Sequence, residues 1–367
     1  MKRIARFALA CAGLLSVVSM CRAETVDTGI IIASSSMHKH LYWWDDDTLL
    51  VPGVRAVRKA DDPKGLRLFR CTPSNGSVTD MGSFGGALCV ANGFIRYWRP
   101  TPETEGKHFL DQERVRLAGT LEKLVEDDRP LSPPSPRPPF YNELSNCRFP
   151  DELAVPEWLK TARKSGRMFA PLKPEHGWAE VAFARRPDGS LDKIGGFHPI
   201  RVYPAGNSEQ GAPVVGLENV DLSPIWHYSR FNNAYLLEEW VGGTPRTVGL
   251  VRSWWLYPNG RVEPALHYDR ALRKGDIGWV ENVIVPTRAG YLQVHERSYS
   301  RLPFANAKTG LHLFRPDGNF KKIAGGRIDL SSFMVSPGGC RVAFGTDERY
   351  GDGIQQYALK VIDVCKK

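Results

Sequence analysis

A tight turn built on proline and glycine recurs between short apolar runs, and it limits the fold of this chain more than any other feature. It stands as Thr72-Pro73-Ser74-Asn75-Gly76, Arg186-Pro187-Asp188-Gly189, Tyr257-Pro258-Asn259-Gly260, Arg315-Pro316-Asp317-Gly318 and Ser336-Pro337-Gly338-Gly339. Proline presets φ at the first turn position, and Gly or Asn tolerates the positive φ that follows. Apolar or aromatic residues lead into each turn: Leu66–Phe69, Val181–Phe183, Trp254-Trp255-Leu256, Leu311–Phe314 and Phe333–Val335. These segments read as β-hairpins.

Other hairpins use different turns. Leu41–Val51 folds around Asp45-Asp46-Asp47, Ala87–Trp98 around Asn92-Gly93, Ile225–Trp240 around Asn232-Asn233, and Trp279–Val294 around Arg288-Ala289-Gly290. Hairpins come in pairs, so residues 38–80, 224–268 and 277–324 each predict one four-stranded sheet, whereas 331–365 holds Phe333–Phe344 and Gln356–Val364 and leaves the outer edge of the last blade short of a strand. That is the rhythm of an all-β propeller with blades of ~40–45 residues. Six blades fit the length best, and seven is the alternative. The expected layout is a single propeller domain over 24–367 with a loop insertion at about 126–177. Within the insertion six of the ten residues from Pro130 to Pro139 are proline, which bars them from a sheet interior. Pro156 to Ser165 predicts a short helix stopped by Gly166. Arg186–Gly189 and Arg315–Gly318 are placed in outer hairpins. Thr28–Ala33 either completes the last blade, tying the chain ends together, or begins the first blade in the ordinary way.

One stretch carries a resemblance. Ser332-Phe333-Met334-Val335-Ser336-Pro337-Gly338-Gly339-Cys340-Arg341-Val342-Ala343-Phe344 resembles the repeat of TolB-type β-propellers, in which a Ser-Pro-Asp-Gly turn joins the first two strands of a blade. The chain departs from it at Gly338, where Asp is usual. The resemblance covers about a tenth of the chain. It implies propeller architecture and a tendency to bind other proteins, and it carries no catalytic residue.

The N-terminus has the build of a secretory signal peptide over residues 1–23. Lys2, Arg3 and Arg6 precede the uncharged run Phe7–Met20, and Cys21-Arg22-Ala23 ends on a small residue. That run is shorter than a bilayer span, and no later run approaches one, so no integral membrane segment is expected in the mature chain. Removing Lys2, Arg3, Arg6 and Arg22 lowers the basic count from 49 to 45 against 40 acids, a net charge of +5 in place of +9. No Lys/Arg run suggests a track for phosphates, so nucleic acid is not an expected partner. Cys71, Cys89, Cys147, Cys340 and Cys365 remain. None has C-x-x-C spacing, and an oxidising compartment favours disulfides. If Val342 pairs with Asp363 in neighbouring strands, Cys340 faces Cys365, which makes those two a candidate bridge. Cys71 and Cys89 bracket the first blade junction and are a second candidate pair, with Cys147 left over.

Catalytic patterns are sparse. There is no G-x-S-x-G elbow, and no Gly-rich phosphate cradle opens a helix, so no cofactor is expected. Nine histidines are scattered, and only His38 and His40 share a strand face, so no metal site is expected. Asp45-Asp46-Asp47 and Glu238-Glu239 read first as a solvated turn and as a strand pair facing opposite ways. Aromatic residues are the remaining signal: Trp43, Trp44, Trp158 and Tyr141 are the candidate contacts for a partner protein. The expected protein is an exported, periplasmic, non-catalytic binding propeller. Its partner is another exported protein, and its role that of an inhibitor, an immunity protein or an envelope accessory. The alternative is a glycan- or peptide-directed hydrolase or lyase with its site at the channel mouth.

Overall fold

Turn chemistry sets the strand boundaries. At Tyr257–Gly260, Gly260 takes a φ of 84° and its N–H donates to the Tyr257 carbonyl at 2.9 Å, so the chain reverses where the proline and glycine place it. A computed structural model describes residues 25–33, 41–57, 65–91, 93–107, 111–127, 155–173, 175–183, 197–206, 209–218, 220, 222, 226–239, 250–269, 284–295, 310–315, 320–351 and 354–366.

A first strand, β1 (Thr25–Ala33), precedes six runs of consecutive strands. The first run is β2 (Tyr42–Trp43), β3 (Leu49–Arg55), β4 (Arg67–Thr72) and β5 (Ser77–Ser83). The second is β6 (Gly86–Ala91), β7 (Phe94–Pro100), β8 (Arg114–Gly119) and β9 (Leu124–Glu126). Helix α1 (Glu157–Lys164) follows, then β10 (Met168–Pro171), β11 (Trp178–Phe183), β12 (Phe197–Tyr203) and β13 (Ala212–Pro213). The fourth run is β14 (His227–Ser229), β15 (Ala234–Glu238), β16 (Leu250–Leu256) and β17 (Val262–Asp269). The fifth is β18 (Ile284–Thr287), β19 (Gly290–His295), β20 (Gly310–Phe314) and β21 (Phe320–Ala324). The sixth has three strands, β22 (Ile328–Val335), β23 (Arg341–Gly351) and β24 (Ile354–Asp363), and β1 supplies its fourth. Every pairing among the described strands is antiparallel; the first five runs are four-stranded meanders, and β1 brings the sixth to four strands.

Apolar side chains seal neighbouring blades. Leu50 and Leu68 of the first meet Ile95 and Tyr97 of the second. Val181 and Val202 of the third meet Trp226 and Tyr235 of the fourth, and Leu236 of the fourth meets Tyr291 of the fifth. Leu292 of the fifth meets Phe344 of the sixth, and Leu359 of the sixth meets Trp43 and Phe69 of the first. Each fully buried Leu, Ile or Phe contributes roughly 1.5–3 kcal/mol. Five of the six junctions of the ring, including that of the last blade with the first, are thus filled by apolar contacts, which is a six-bladed β-propeller among the described residues.

The ring closes through β1. Ile31, Ile32 and Ala33 pair with Ala358, Tyr357 and Gln356 of β24, and Ile30 and Ile31 pair with Arg55 and Val54 of β3. Thr28–Ala33 thus completes the last blade and also joins it to the first, making one eight-stranded sheet. Cys340 and Cys365 form a disulfide with Cα atoms 5.1 Å apart. The register differs by one residue from the expected one: Val342 faces Ile362 and Arg341 faces Asp363. The bridge still forms because both cysteines lie past the strand ends, where the Val364 N–H donates to the Cys340 carbonyl at 2.8 Å.

Three expectations need correction. Cys71 and Cys89 do not pair: Cys71 is a buried free thiol, and Cys89 is bonded to a cysteine outside the described residues. Cys71 lies on β4 in the core shared by the first and last blades, whereas Cys89 is on the far face of the second, so their distance along the chain was misleading. Cys147, expected to be left over, lies outside the described residues. The insertion is also shorter than 126–177, because β10 falls inside that span; Met-Phe-Ala-Pro is too short to announce itself by alternation. Arg186–Gly189 lies between the second and third strands of its blade rather than in an outer hairpin.

Turns from several blades converge at one end of the ring. Asp46, in the turn between β2 and β3, accepts the Gly338 N–H of the sixth blade. A Cβ on Gly338 would stand 2.5 and 2.7 Å from the Asp46 carboxylate oxygens. Asp46 thus leaves no room for a side chain at 338, which accounts for the glycine there. Gly339 has a φ of 79° and lies against the Phe231 ring of the fourth blade. Arg288 of the fifth donates from its backbone N–H to the Gly339 carbonyl and from Nε to the Gly338 carbonyl, both at 2.8 Å. Arg230 Nη1 of the fourth donates to the Trp43 carbonyl of the first at 3.0 Å. The fourth and first blades stand opposite in a ring of six, so these turns close the axis at this end.

Burial raises the Cys71 thiol to about 12, against a smaller opposing pull from Arg55. The native protein should therefore resist alkylation at Cys71. After unfolding without reductant, peptide mapping should find label on Cys71 and none on Cys89, Cys340 or Cys365. Replacing Cys340 and Cys365 by Ser should lower stability in urea by about 2–4 kcal/mol.

Candidate functional site: the seam between the second and third blades

Alternation along β7 gives the second blade two different faces. Ile95 and Tyr97 point to the first blade. Arg96 and Trp98 point the other way, with Cys89 directly opposite Arg96 across the strand pair. Arg96 and Arg116 are buried there beside Asp127, the residue that follows β9. Arg96 Nη2 lies 2.9 Å from Asp127 Oδ2, and Arg116 Nε donates to the Asp127 carbonyl at 2.8 Å. The Arg116 guanidinium also covers the Trp98 ring at 5.5 Å. Removing one member of such a buried set leaves an uncompensated charge, so Asp127 is firmly held where the chain leaves the blade.

The third blade is likewise two-faced. Ala170, Ala179, Val181 and Val202 pack on the fourth blade. Phe169, Trp178 and Tyr203 look the other way and are covered by α1. The helix forms there for local reasons. Pro156, with φ −55°, sits just ahead of it, Glu157 lies in its first turn and Arg163 and Lys164 in its last. Gly166, with φ 88°, ends it. Its spacing buries Leu159 and Ala162 on one side, and the Trp158 ring lies 4.9 Å from Tyr203 and 5.9 Å from Phe169. Among the described residues this seam has no apolar cluster shared by its two blades. The helix stands where a neighbouring blade packs elsewhere in the ring.

A charged cluster lies beside the helix. Arg167 grips Glu180 with two hydrogen bonds, Nε to Oε1 and Nη2 to Oε2, each 2.7 Å. The Tyr203 hydroxyl donates to Glu180 Oε2 at 2.8 Å. The Arg167 hydrogen bonds hold the Glu180 carboxyl below its usual value, against burial, with Tyr203 adding to the effect. Burial and the bond to Glu180 push the Tyr203 hydroxyl up. Glu180 is therefore ionised and occupied at neutral pH, and the cluster anchors the helix side of the seam.

The four expected contact residues separate. Trp43 is buried, and its Nε1 donates to the Met334 carbonyl at 3.0 Å. It fills the junction of the first and last blades and is not open to a partner, because the inward member of the Trp pair faces the core. Trp44 is half-buried against the first and second blades. Trp158 belongs to this seam, and Tyr141 lies outside the described residues, as do His38 and His40. The residues missed are Arg96, Arg116, Asp127, Arg167, Glu180 and Tyr203. Glu180 left one trace, a single acid inside the apolar run Trp178-Ala179-Glu180-Val181-Ala182-Phe183. Among the described residues no group of three or more His, Cys, Asp or Glu side chains could hold a metal ion, and no helix is long and apolar enough to cross a membrane.

No family model matches the chain, and no curated protein matches it. Solved structures do. An oligogalacturonate lyase from Vibrio parahaemolyticus aligns with 11% identity over 93% of this chain and 98% of its own, at a TM-score of 0.41. TolB from Acinetobacter baumannii aligns with 10% identity over 92% of this chain and 64% of its own, at a TM-score of 0.23. Neither likeness carries an argument about what this chain does. The architecture rests on the sheets and seams themselves.

Glu180→Gln should cost about 1–3 kcal/mol at neutral pH, since it breaks the charged pair but Arg167 is partly solvated. The folded carboxyl titrates below its usual 4.5, so its stabilisation is complete above about pH 4.5 and is lost as pH falls through the folded value. Urea melts of wild type and E180Q should thus converge toward acid pH; a constant gap would refute this account.

Proposed function

We propose that this chain is an exported, non-catalytic binding propeller that recognises another exported protein beside the seam of the second and third blades. One observation carries the reading: α1 occupies a place that blade-on-blade packing fills elsewhere, so the ring has given up a seam to an inserted element. The connection from 127 to 156 is anchored at both ends, by the buried Arg96–Asp127–Arg116 set and by α1. Exposed apolar surface accompanies it. Val125, 52% exposed, precedes the inserted segment, and half-buried Trp158 follows it. Rigid scaffolds present recognition segments in this way. The leader-like N-terminus and the Cys340–Cys365 bridge support export to an oxidising compartment such as the periplasm. Inhibitor, immunity and envelope-accessory roles all fit this chemistry.

A second reading, a glycan- or peptide-directed hydrolase or lyase, draws on the Arg167–Glu180–Tyr203 cluster, which unites a carboxylate, a phenol and a guanidinium. Against it, Glu180 is buried and already takes three hydrogen bonds from Arg167 and Tyr203, so its oxygens are engaged within the protein.

The test replaces residues 130–139 by a Gly/Ser segment of equal length, leaving Cys147, Asp127 and α1 in place. The melting temperature should stay within about 2 °C of wild type, while a protein crosslinked by the wild-type chain in periplasmic extract should be lost. Undiminished crosslinking by the variant would overturn this placement of the contact. Turnover of acidic oligosaccharides or peptides, abolished by E180Q, would favour the enzyme.

A further inference from the structure

We infer that the opposite end of the propeller holds a second binding site, which takes the carboxylates of an acidic peptide segment on Arg230 and Arg288. The inserted segment joins the last strand of one blade to the first of the next, and such connections leave from the other end of a meander. The connections at the end in question are short: 44–48, 92–93, 172–177, 230–233, 288–289 and 336–340 between first and second strands, and none between third and fourth strands exceeds 204–211. The two arginines stand on turns that both touch Gly339. A Cβ there would be 2.6 Å from the Phe231 ring and 3.2 Å from the Arg288 backbone nitrogen.

Both guanidiniums are pre-positioned by backbone carbonyls. Arg230 Nη1 donates to the Trp43 carbonyl, and its guanidinium lies 5.8 Å from the centre of the Tyr42 ring. Arg288 Nε donates to the Gly338 carbonyl. Each guanidinium has five N–H donors, and one is used in each case. Among the described residues neither has a carboxylate within ion-pair distance, whereas Arg341 nearby is paired with Asp47.

The acids of the same surface each accept a hydrogen bond from the protein itself. Asp45 accepts the Asp47 N–H, Asp46 accepts the Gly338 N–H, and Asp47 accepts from Ser74 and Arg341. Fixed forks with spare donors, on a surface whose own carboxylates are already committed, suit incoming carboxylates, which bind such forks bidentately. A peptide is the favoured source because the site is a shallow meeting of turns that closes the axis, so a ligand must lie across it rather than enter it.

The probe is a fluorescein-labelled, aspartate-rich peptide, followed by anisotropy at low and high salt with full-length mature protein. Saturable binding that weakens with salt is expected. Arg288→Glu should weaken it by about tenfold or more, and Arg230→Gln with Arg288→Gln should abolish it. Arg315→Gln, in an exposed turn of the fifth blade, should leave it unchanged. A melting curve checks that R230Q, which gives up the bond to Trp43, stays folded; R288E alone decides if it does not. Equal binding by R288E, or equal loss with R315Q, would overturn the site. Displacement by glutarate as readily as by unlabelled peptide would overturn the peptide as its ligand. The variant with residues 130–139 replaced should bind the probe normally, so this site and the seam contact fail independently.

Discussion

Closure of the ring depends on one strand. β1 hydrogen-bonds to β24 on one side and to β3 on the other, so the final blade is completed from the N-terminus and is tied to the first blade in the same step. A propeller without this pairing would leave β24 as an open edge, with unpaired backbone groups and no covalent barrier to separation of the first and last blades. The disulfide strengthens the same place from the other end of the chain, fastening the residues after β24 to the turn between β22 and β23. The β1–β24 pairing acts across nearly the whole length of the chain, where loop-closure entropy opposes contact most, whereas the disulfide closes a short loop within the last blade.

Both proposed recognition surfaces rest on the rigidity of the closed ring. The axis is filled at one end by short turns from the first, fourth, fifth and sixth blades, which hold one another through one backbone–backbone hydrogen bond and three between side chain and backbone. Side chains fixed by backbone carbonyls lose little further freedom on binding, so Arg230 and Arg288 are ready for a ligand. At the second and third blades the ring does something else. Blade 3 turns an aromatic face, Phe169 and Tyr203, toward a helix instead of a blade, and blade 2 turns buried arginines toward Asp127.

Much of the fold was legible because its signals are local. Asn232-Asn233 and Arg288-Ala289-Gly290 turn the chain where they stand, and Pro156 and Gly166 bracket a helix through backbone geometry that no distant residue can alter. The candidate site was far less legible. Trp158 was visible as a large ring, but nothing in the sequence around it names Tyr203 as its neighbour. Arg167, Glu180 and Tyr203 come from the approach to β10, from β11 and from the end of β12, and only pairing of those strands puts them in contact. Trp43 shows the reverse error: expected as a partner contact, it is buried instead, and the Met334 carbonyl of the adjoining last blade takes its N–H.

The amino-acid sequence alone determined the all-β class, most of the hairpin positions, the four-strand rhythm and the short helix. Each follows from φ preference, alternation or charge within a few residues. Tertiary structure decided which cysteines meet, which face of each blade is apolar, that β1 is shared by two blades, and that a helix takes the place of a blade in one seam. Those outcomes depend on how twisted sheets stack around an axis. A one-residue change in register or a short strand such as β10 alters them without leaving a mark in the local pattern.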